Sequence, residues 1–508
     1  MTSVPFLCIR GIMTTIMTDK PLNILYLSAE ILPYAATGGL AQVASVLPEA
    51  IRQLGDDVRV ILPRYGLIDP EKLGLELVLE RFPVPFENDV EWASLWQAPD
   101  SGMPIYFVEH ERFFGSRQGI YSFPDDGERF VFYSRASLEA VRQLDWRPDI
   151  IHCNEWQTAL VPNWLRTTYK DDPFFEHTAV VYTIHNLSFQ GIFGYRVLQI
   201  AGIEQTGFIA HPDISPSLNQ VVSMMGRGII FADIITTVSP TYAQEILTPE
   251  FGEGLEPLLQ DRKERLFGVL NGLDTDAWNP KNDPTLAQTY DIRTLAGKKA
   301  CKRALQQEVG LDTNPEVALI GLTSRLNDQK GYDILTAVLE PMLRYLPIQM
   351  VIMGTGEHRY HHQLQDLQQR YPGQFVFHAT YDETLSRHIY AGSDIFLMPS
   401  RHEPGGLDQL KAMRYGAVPV VHATGGLNDT VIDHHPPETG AGFSFGPYDC
   451  MALYAAVVRA VEIYQHPDIW IHIQRSGMKQ DFSVTNTAQT YHKLYRQALS
   501  FKLTGRPE

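Results

Sequence analysis

Cysteine is scarce in this chain and scattered. The four, Cys8, Cys153, Cys301 and Cys450, lie far apart with no Cys-x-x-Cys spacing, so neither a disulfide framework nor a zinc site is implied. Basic residues are outnumbered, 42 Lys and Arg against 59 Asp and Glu. The net charge of −17 argues against nucleic acid and anionic membranes as partners, since both demand clustered cations. No apolar run approaches the roughly 20 residues of a membrane-spanning helix. Residues 1–20 also read poorly as a targeting segment, because Arg10 interrupts the early apolar stretch and no small-residue cleavage site follows. Residues 1–20 read as an N-terminal extension expected to be disordered, with Met17 as the expected natural start. What is present is an ordinary soluble composition, 44% hydrophobic and 20% charged, in 508 residues, enough for at least two cores. The cytoplasm is the expected compartment.

Short apolar runs alternate with helical patterns, the mark of parallel sheets built from strand–helix–strand units. Strands are expected at Ile24–Ser28, Val58–Leu62, Ile105–Val108, Asp149–His152, Ala179–Thr183 and Ile234–Val238. A second series runs through Val317–Leu322, Gln349–Met353, Phe375–Phe377, Ile395–Met398 and Val418–Val421. Between the first two strands, Leu40, Val43, Ala44, Leu47, Ala50, Ile51 and Leu54 keep helical spacing, and Gly55 ends the helix. The turn-rich stretch Asn271–Pro280 separates the two series. The expected fold is α/β, two doubly wound Rossmann-like domains facing a cleft.

Glu403-Pro-Gly-Gly-Leu-Asp408 stands between a strand and a helical stretch. A glycine-rich turn opening a helix offers bare N–H groups suited to a diphosphate, whereas a carboxylate would repel phosphate, so Glu403 suits sugar hydroxyls. Taken alone, a strand-to-helix turn with a solvated Glu explains the segment as well. Arg325 and Lys330, past an earlier strand, provide a fork and a point charge for a diphosphate. Gly354-Thr-Gly356 adds a close-approach loop, and Tyr381 a stacking face. Ala-Thr-Gly-Gly-Leu occurs twice, at Ala36–Leu40 and Ala423–Leu427, each after a strand, so each domain is expected to aim a glycine loop at the carboxyl ends of its strands. In the first half, His185 ends one strand where a sugar would lie, and Asn154-Glu155-Trp156 follows another. His152 reads as a structural histidine with a local hydrogen bond.

This ordered set, with Thr183-Ile-His-Asn-Leu187 and Val238-Ser-Pro-Thr-Tyr-Ala243, resembles the bacterial glycogen synthases and plant starch synthases from about Asn23 to the last helical stretch. The resemblance implies a GT-B fold: a first domain over 21–272, a nucleotide-sugar domain over 273–485, and a helix over 486–508 returning to the first domain. It implies a retaining hexosyltransferase that moves glucose from ADP-glucose to the non-reducing end of an α-1,4-glucan, glycogen or malto-oligosaccharide, with no cofactor and no metal. Arg325 and Lys330 then clamp the departing diphosphate, Tyr381 stacks on adenine, Glu403 orients the glucose ring and His185 supports it. Gly38, Gly39, Gly405, Gly406, Leu407, Asp408, Gly354, Glu155 and Trp156 complete the substrate-binding set.

The departures from the family pattern cluster at these same places. Ala36 stands where the family has Lys, Gln42 and Glu155 where it has Asp, and Gly405 where it usually has Cys. Ser223-Met-Met-Gly226 lacks the family's Asn and Lys, and Asp408 replaces a commonly neutral residue. Arg227 is a candidate substitute for the missing lysine. The alternatives are a glucan-binding or regulatory homologue with reduced catalysis or an altered donor, and a metal-dependent transferase built on Asp274-Thr-Asp276. That Asp-x-Asp spacing is short and common.

Overall fold

The structure, a computed structural model, describes residues 20–99, 101–203, 221–436 and 440–504. All but the last residue of the expected N-terminal extension lies outside that set. The chain folds into two compact units: residues up to Thr237, Ala243–Val269 and Thr485 onward form the first, and Val238–Tyr242 with Leu270–Val484 the second.

In the first unit the strands are β1 (Asn23–Leu27), β2 (Asp57–Pro63), β3 (Glu76–Phe86), β4 (Asp89–Ala98), β5 (Ile105–Glu109), β6 (Ile150–Asn154), β7 (Ala179–Ile184), β8 (Ile192–Phe193), β9 (Val222–Ser223), β10 (Ile234–Thr237) and β11 (Leu266–Gly268). Apart from β8 and β9, which pair with each other, they form one sheet in the order β11-β10-β7-β6-β1-β2-β5-β4-β3. Pairing is parallel except along β3 and β4, an antiparallel hairpin at one edge. Strands such as β7, Ala-Val-Val-Tyr-Thr-Ile, are buried at every position, so they read as continuous apolar runs rather than alternating ones.

The second unit has β12 (Ala318–Thr323), β13 (Ile348–Met353), β14 (Phe375–His378), β15 (Ile395–Met398), β16 (Val418–His422) and β17 (Phe443–Phe445), ordered β14-β13-β12-β15-β16-β17 and parallel throughout. Side-chain alternation splits its core in two. Ile320, Leu322, Met350 and Ile352 pack with Leu335 and Leu339 of helix Tyr332–Tyr345. Leu319, Val351, Met353 and Phe396 pack with Ile389 and Tyr390 of helix Glu383–Gly392 on the other face.

The parallel part of each sheet reverses its strand order once, between β1 and β6 in the first unit and between β12 and β15 in the second. Loops leaving the carboxyl ends of two such strands diverge and leave a crevice, the usual ligand position in open α/β sheets. The helix Val484–Thr504 joins the first unit. There Tyr495 Oη lies 2.7 Å from Nδ1 of His152, whose Nε2 meets Thr183 Oγ1 at 2.6 Å. His152 is thus structural, and burial pushes its pKa down to about 3.

Candidate functional site

The loops after β12 and β15 meet at the reversal of the second sheet. Gly331, at φ +82°, touches the loop after β15 so closely that a methyl group would sit 2.0 Å from the Pro399 carbonyl oxygen, and Arg401 N donates to Gln329 O at 2.9 Å. That stitching delivers Lys330 to Glu403. Its Nζ donates to Glu403 Oε2 at 2.5 Å, and Ser400 Oγ donates to the same oxygen at 3.0 Å. Glu403 is only 8% exposed, yet among the described residues Oε1 receives no hydrogen bond. Arg325 and Tyr381 are exposed, Tyr381 by 66%. Asp408 accepts from Tyr390 Oη at 2.8 Å and from Lys411 Nζ at 3.2 Å. Gly406, at φ +64°, makes the turn before Leu407 and Asp408, while Gly405 is buried against Val238 and Asn271. A Cβ at 405 would lie 3.0 Å from Asn271 Nδ2, so the surroundings of this position fit glycine more closely than the family's larger residue.

Two expectations for this unit need correction. Gly354 is not an open approach loop: a side chain there would strike the Ser324 carbonyl oxygen at 1.8 Å, so its smallness lets the loop bearing Arg325 pack down. The second Ala-Thr-Gly-Gly-Leu is not an open loop: it is buried from Thr424 to Leu427 and braces the Glu403 turn. Gly426 N donates to Glu403 O and Pro404 O at 3.1 and 3.0 Å.

The first unit gathers its polar groups at its own reversal. The first Ala-Thr-Gly-Gly-Leu follows β1, with Ala36, Thr37, Gly38 and Gly39 all exposed and Gly39 opening the helix Gly39–Arg52. Glu30, buried, holds this loop: its carboxylate accepts from Thr37 N at 2.6 Å, Thr37 Oγ1 at 2.8 Å, Gly38 N at 3.2 Å and Tyr121 Oη at 2.7 Å. After β7, half-buried His185 places Nε2 2.9 Å from Asn154 Oδ1, which also accepts from Tyr26 Oη, while Asn154 Nδ2 donates to Leu27 O. With Oδ1 as the acceptor, His185 carries its proton on Nε2 and leaves Nδ1 as an acceptor. Desolvation pushes its pKa down to about 4, so the ring is neutral near pH 7.

Glu155 and Trp156 are not open substrate contacts in this unit. Glu155, at φ +62°, turns its carboxylate back to accept from the backbone N–H groups of His185 at 2.5 Å and Asn186 at 3.0 Å. Burial raises its pKa to about 8, the backbone donors pull the other way, and the charge of Glu30 adds to the rise. Trp156 is buried against Phe130, Phe193 and Gly191. Arg227, next to Gly226 where the family has its lysine, is buried as well, with Nη1 3.4 Å from Asn163 Oδ1. Asp274 accepts from the N–H groups of Asp276 and Ala277, a local turn, and no cluster of three metal-ligating side chains occurs among the described residues.

Glu30, Ser400 and His422 are site-shaping residues that the motifs do not single out. Only Glu30 leaves a signal, a carboxylate three residues past β1 and six before the start of the glycine loop at Ala36.

Comparison with known proteins places this geometry. Residues 23–261 match the starch synthase catalytic domain and residues 303–476 the glycosyl transferases group 1. The chain is 43% identical to glycogen synthase 2 of Geobacter sulfurreducens and 41% identical to the glycogen synthase of Syntrophotalea carbinolica, in each case over 94% of this chain and 99% of the relative. Among solved structures, the catalytic domain of starch synthase IV from Arabidopsis thaliana, bound to ADP and acarbose, superimposes with a TM-score of 0.87 at 33% identity, covering 95% of this chain and 100% of that one. Sucrose-phosphate synthase from Thermosynechococcus elongatus, at 17% identity and a TM-score of 0.59 over 94% of this chain and 99% of that one, shares the fold. The chain therefore belongs to the glycogen and starch synthase family of glycosyltransferases and has its fold of two Rossmann-like units.

Proposed function

We propose that this protein extends an α-1,4-glucan with glucose taken from ADP-glucose, with retention at the anomeric carbon. The observation that carries the reading is the Lys330–Glu403 pair at the strand-order reversal of the second unit. A lysine ammonium has three donors, so Lys330 can hold Glu403 and still meet a diphosphate, with Arg325 as the second cation. Together they stabilise the charge that grows on the leaving diphosphate, an electrostatic role for which a metal ion is not required. The exposed ring of Tyr381 offers a face for adenine, and the turn of Gly405, Gly406 and Leu407 lies beside the phosphates. Glu403 Oε1 accepts from glucose hydroxyls. In the first unit, neutral His185 accepts a sugar hydroxyl on Nδ1, and Gly38 and Gly39 leave room for close approach of the donor. The acceptor is glycogen or a malto-oligosaccharide, and the compartment is the cytoplasm.

Asp408 favours a second reading, a homologue with loosened or altered donor use, because its carboxylate adds negative charge beside the phosphate loop. Lys411 offsets part of that charge.

One experiment separates the two. The protein is incubated with ADP-glucose or UDP-glucose, with and without glycogen and with a chelator, while diphosphate release and the sensitivity of the product to an α-specific glucosidase are followed. Glycogen-dependent ADP release that survives chelation, with α-linked product, is expected. Preference for UDP-glucose, or no turnover, supports the second reading, and loss of activity restored by magnesium points back to a metal site.

A further inference from the structure

The two oxygens of the Glu403 carboxylate are unequally occupied. Oε2 takes both donors, Lys330 Nζ at 2.5 Å and Ser400 Oγ at 3.0 Å, and Oε1 takes none among the described residues. A single donor would not maintain that difference, because the terminal torsion of a glutamate is broad and nearly two-fold and lets the oxygens exchange. A lysine is also the weaker of two possible anchors, a point charge on a four-carbon stem.

Ser400 is the opposite kind of anchor. It is 2% exposed, its side chain is one bond long, and its backbone is fixed from outside the loop. The Ser400 carbonyl oxygen lies 2.9 Å from Nδ1 of His422, the last residue of β16, and Nε2 of the same ring lies 3.0 Å from the carbonyl oxygen of Gly446, just past β17. The ring is itself buried and packs on Phe445 and Tyr448. With the proton of the neutral ring on Nδ1, His422 donates to Ser400 O and ties the hydroxyl to the end of β16.

We propose that Ser400 is a positioning residue for the transfer reaction: it fixes the plane of the Glu403 carboxylate so that Oε1 faces the sugar while Lys330 is drawn toward the diphosphate. The inference rests on the proposed contact between Glu403 and the donor glucose. Without Ser400, the same lysine would have to orient the carboxylate and neutralise the leaving group at once.

The test uses the full chain with ADP-glucose and glycogen and compares Ser400→Ala, Ser400→Thr, Glu403→Gln and the Ser400→Ala/Glu403→Gln double variant. Turnover, donor KM, ADP affinity by calorimetry and thermal stability are measured. Loss of a hydrogen bond to a charged group that matters only once the sugar is in place should lower kcat about ten- to hundredfold in Ser400→Ala, with donor KM and ADP affinity within about twofold of the parent. Ser400→Thr, which keeps the hydroxyl, should recover most of the loss. Glu403→Gln should lose more, and adding Ser400→Ala to it should cost little further, since the serine acts through the glutamate. Three results overturn the positioning role alone: an unchanged kcat in Ser400→Ala while Glu403→Gln is impaired, an equal fall in ADP affinity and kcat, or a full additional loss in the double variant. An unimpaired Glu403→Gln, or a parent protein without turnover, overturns the reading beneath it.

Discussion

At Gly426 a methyl group would sit 1.9 Å from the Gly405 carbonyl oxygen, whereas at Gly39, in the other copy of the same pentapeptide, it would meet nothing within 4 Å. The contrast extends along both copies. Gly425 is at φ +45° and its neighbours from Thr424 to Leu427 are buried, while Gly38 has an extended φ of −167° and Ala36 to Gly39 are exposed. Identical residues therefore answer different needs. In the second unit the glycines let one backbone press against another to hold the Glu403 turn, and in the first they leave space that the fold does not fill.

The largest effect that would test this contrast is expected at Gly426→Ala. Its carbonyl contact is with backbone, which cannot swing aside, so overpacking should cost about 1–3 kcal/mol or more and lower turnover through the displaced Glu403 turn. Thermal unfolding and kcat measured together check it, and an undisturbed protein would dissolve the distinction between the copies.

Next comes Ala36→Lys. The position is exposed at the head of the open copy, and a new charge-assisted bond of about 1.5–3 kcal/mol to the donor phosphate should raise donor affinity or turnover roughly tenfold or more. No change in either, in a folded protein, would mean that the space over Gly38 and Gly39 is not where the donor lies.

A smaller effect is expected of Glu155→Gln, which tests the carboxylates around that open copy. The Glu155 pKa is about 8 in the folded protein against about 4.3 in an unfolded chain, so between those values the folded state retains a proton that the unfolded state has lost. This group must then make the protein less stable as pH rises from about 5 to 8. The Gln variant should lose that slope, which melting temperatures at the two ends will show. An unchanged slope would mean the carboxyl ionises normally. Smallest of all is Gly38→Ala: stability should move by no more than about 0.5 kcal/mol, with any effect confined to donor KM.

The pentapeptides also show how far the sequence is legible. The longer parallel strands can be read because strands buried on both faces appear as uninterrupted apolar runs, whereas the three-residue β11 and β17 are too short to show one; the residues after β12 and β15 can be read because a strand end followed by glycine is local information. The hairpin β3–β4 cannot. Pro83 and Pro85 argue against a strand, and only at a sheet edge, where β3 lies, are they tolerated. A glycine needed for packing looks the same in sequence as one needed for a ligand, which is why Gly354 and the second pentapeptide mislead. Glu155 misleads because its carboxylate folds back onto its own unit, and Ser400 and His422 stay invisible because their roles run across space between strand ends.

The helix Val484–Thr504 bears on how the protein is made. Its tyrosines and His492 complete the first unit, where Nδ1 of His492 lies 2.8 Å from Asp56 Oδ2 and Tyr491 Oη reaches Thr183 and Thr236. On the ribosome, the first unit would therefore wait with this seam open while about two hundred residues of the second unit emerge. At elongation rates of about 5–20 residues per second, that delay is on the order of 10–40 s. During that interval the second unit, whose sequence is complete before the helix appears, can fold as a finished piece, and the N-terminal half of the chain becomes the last part of the protein to close.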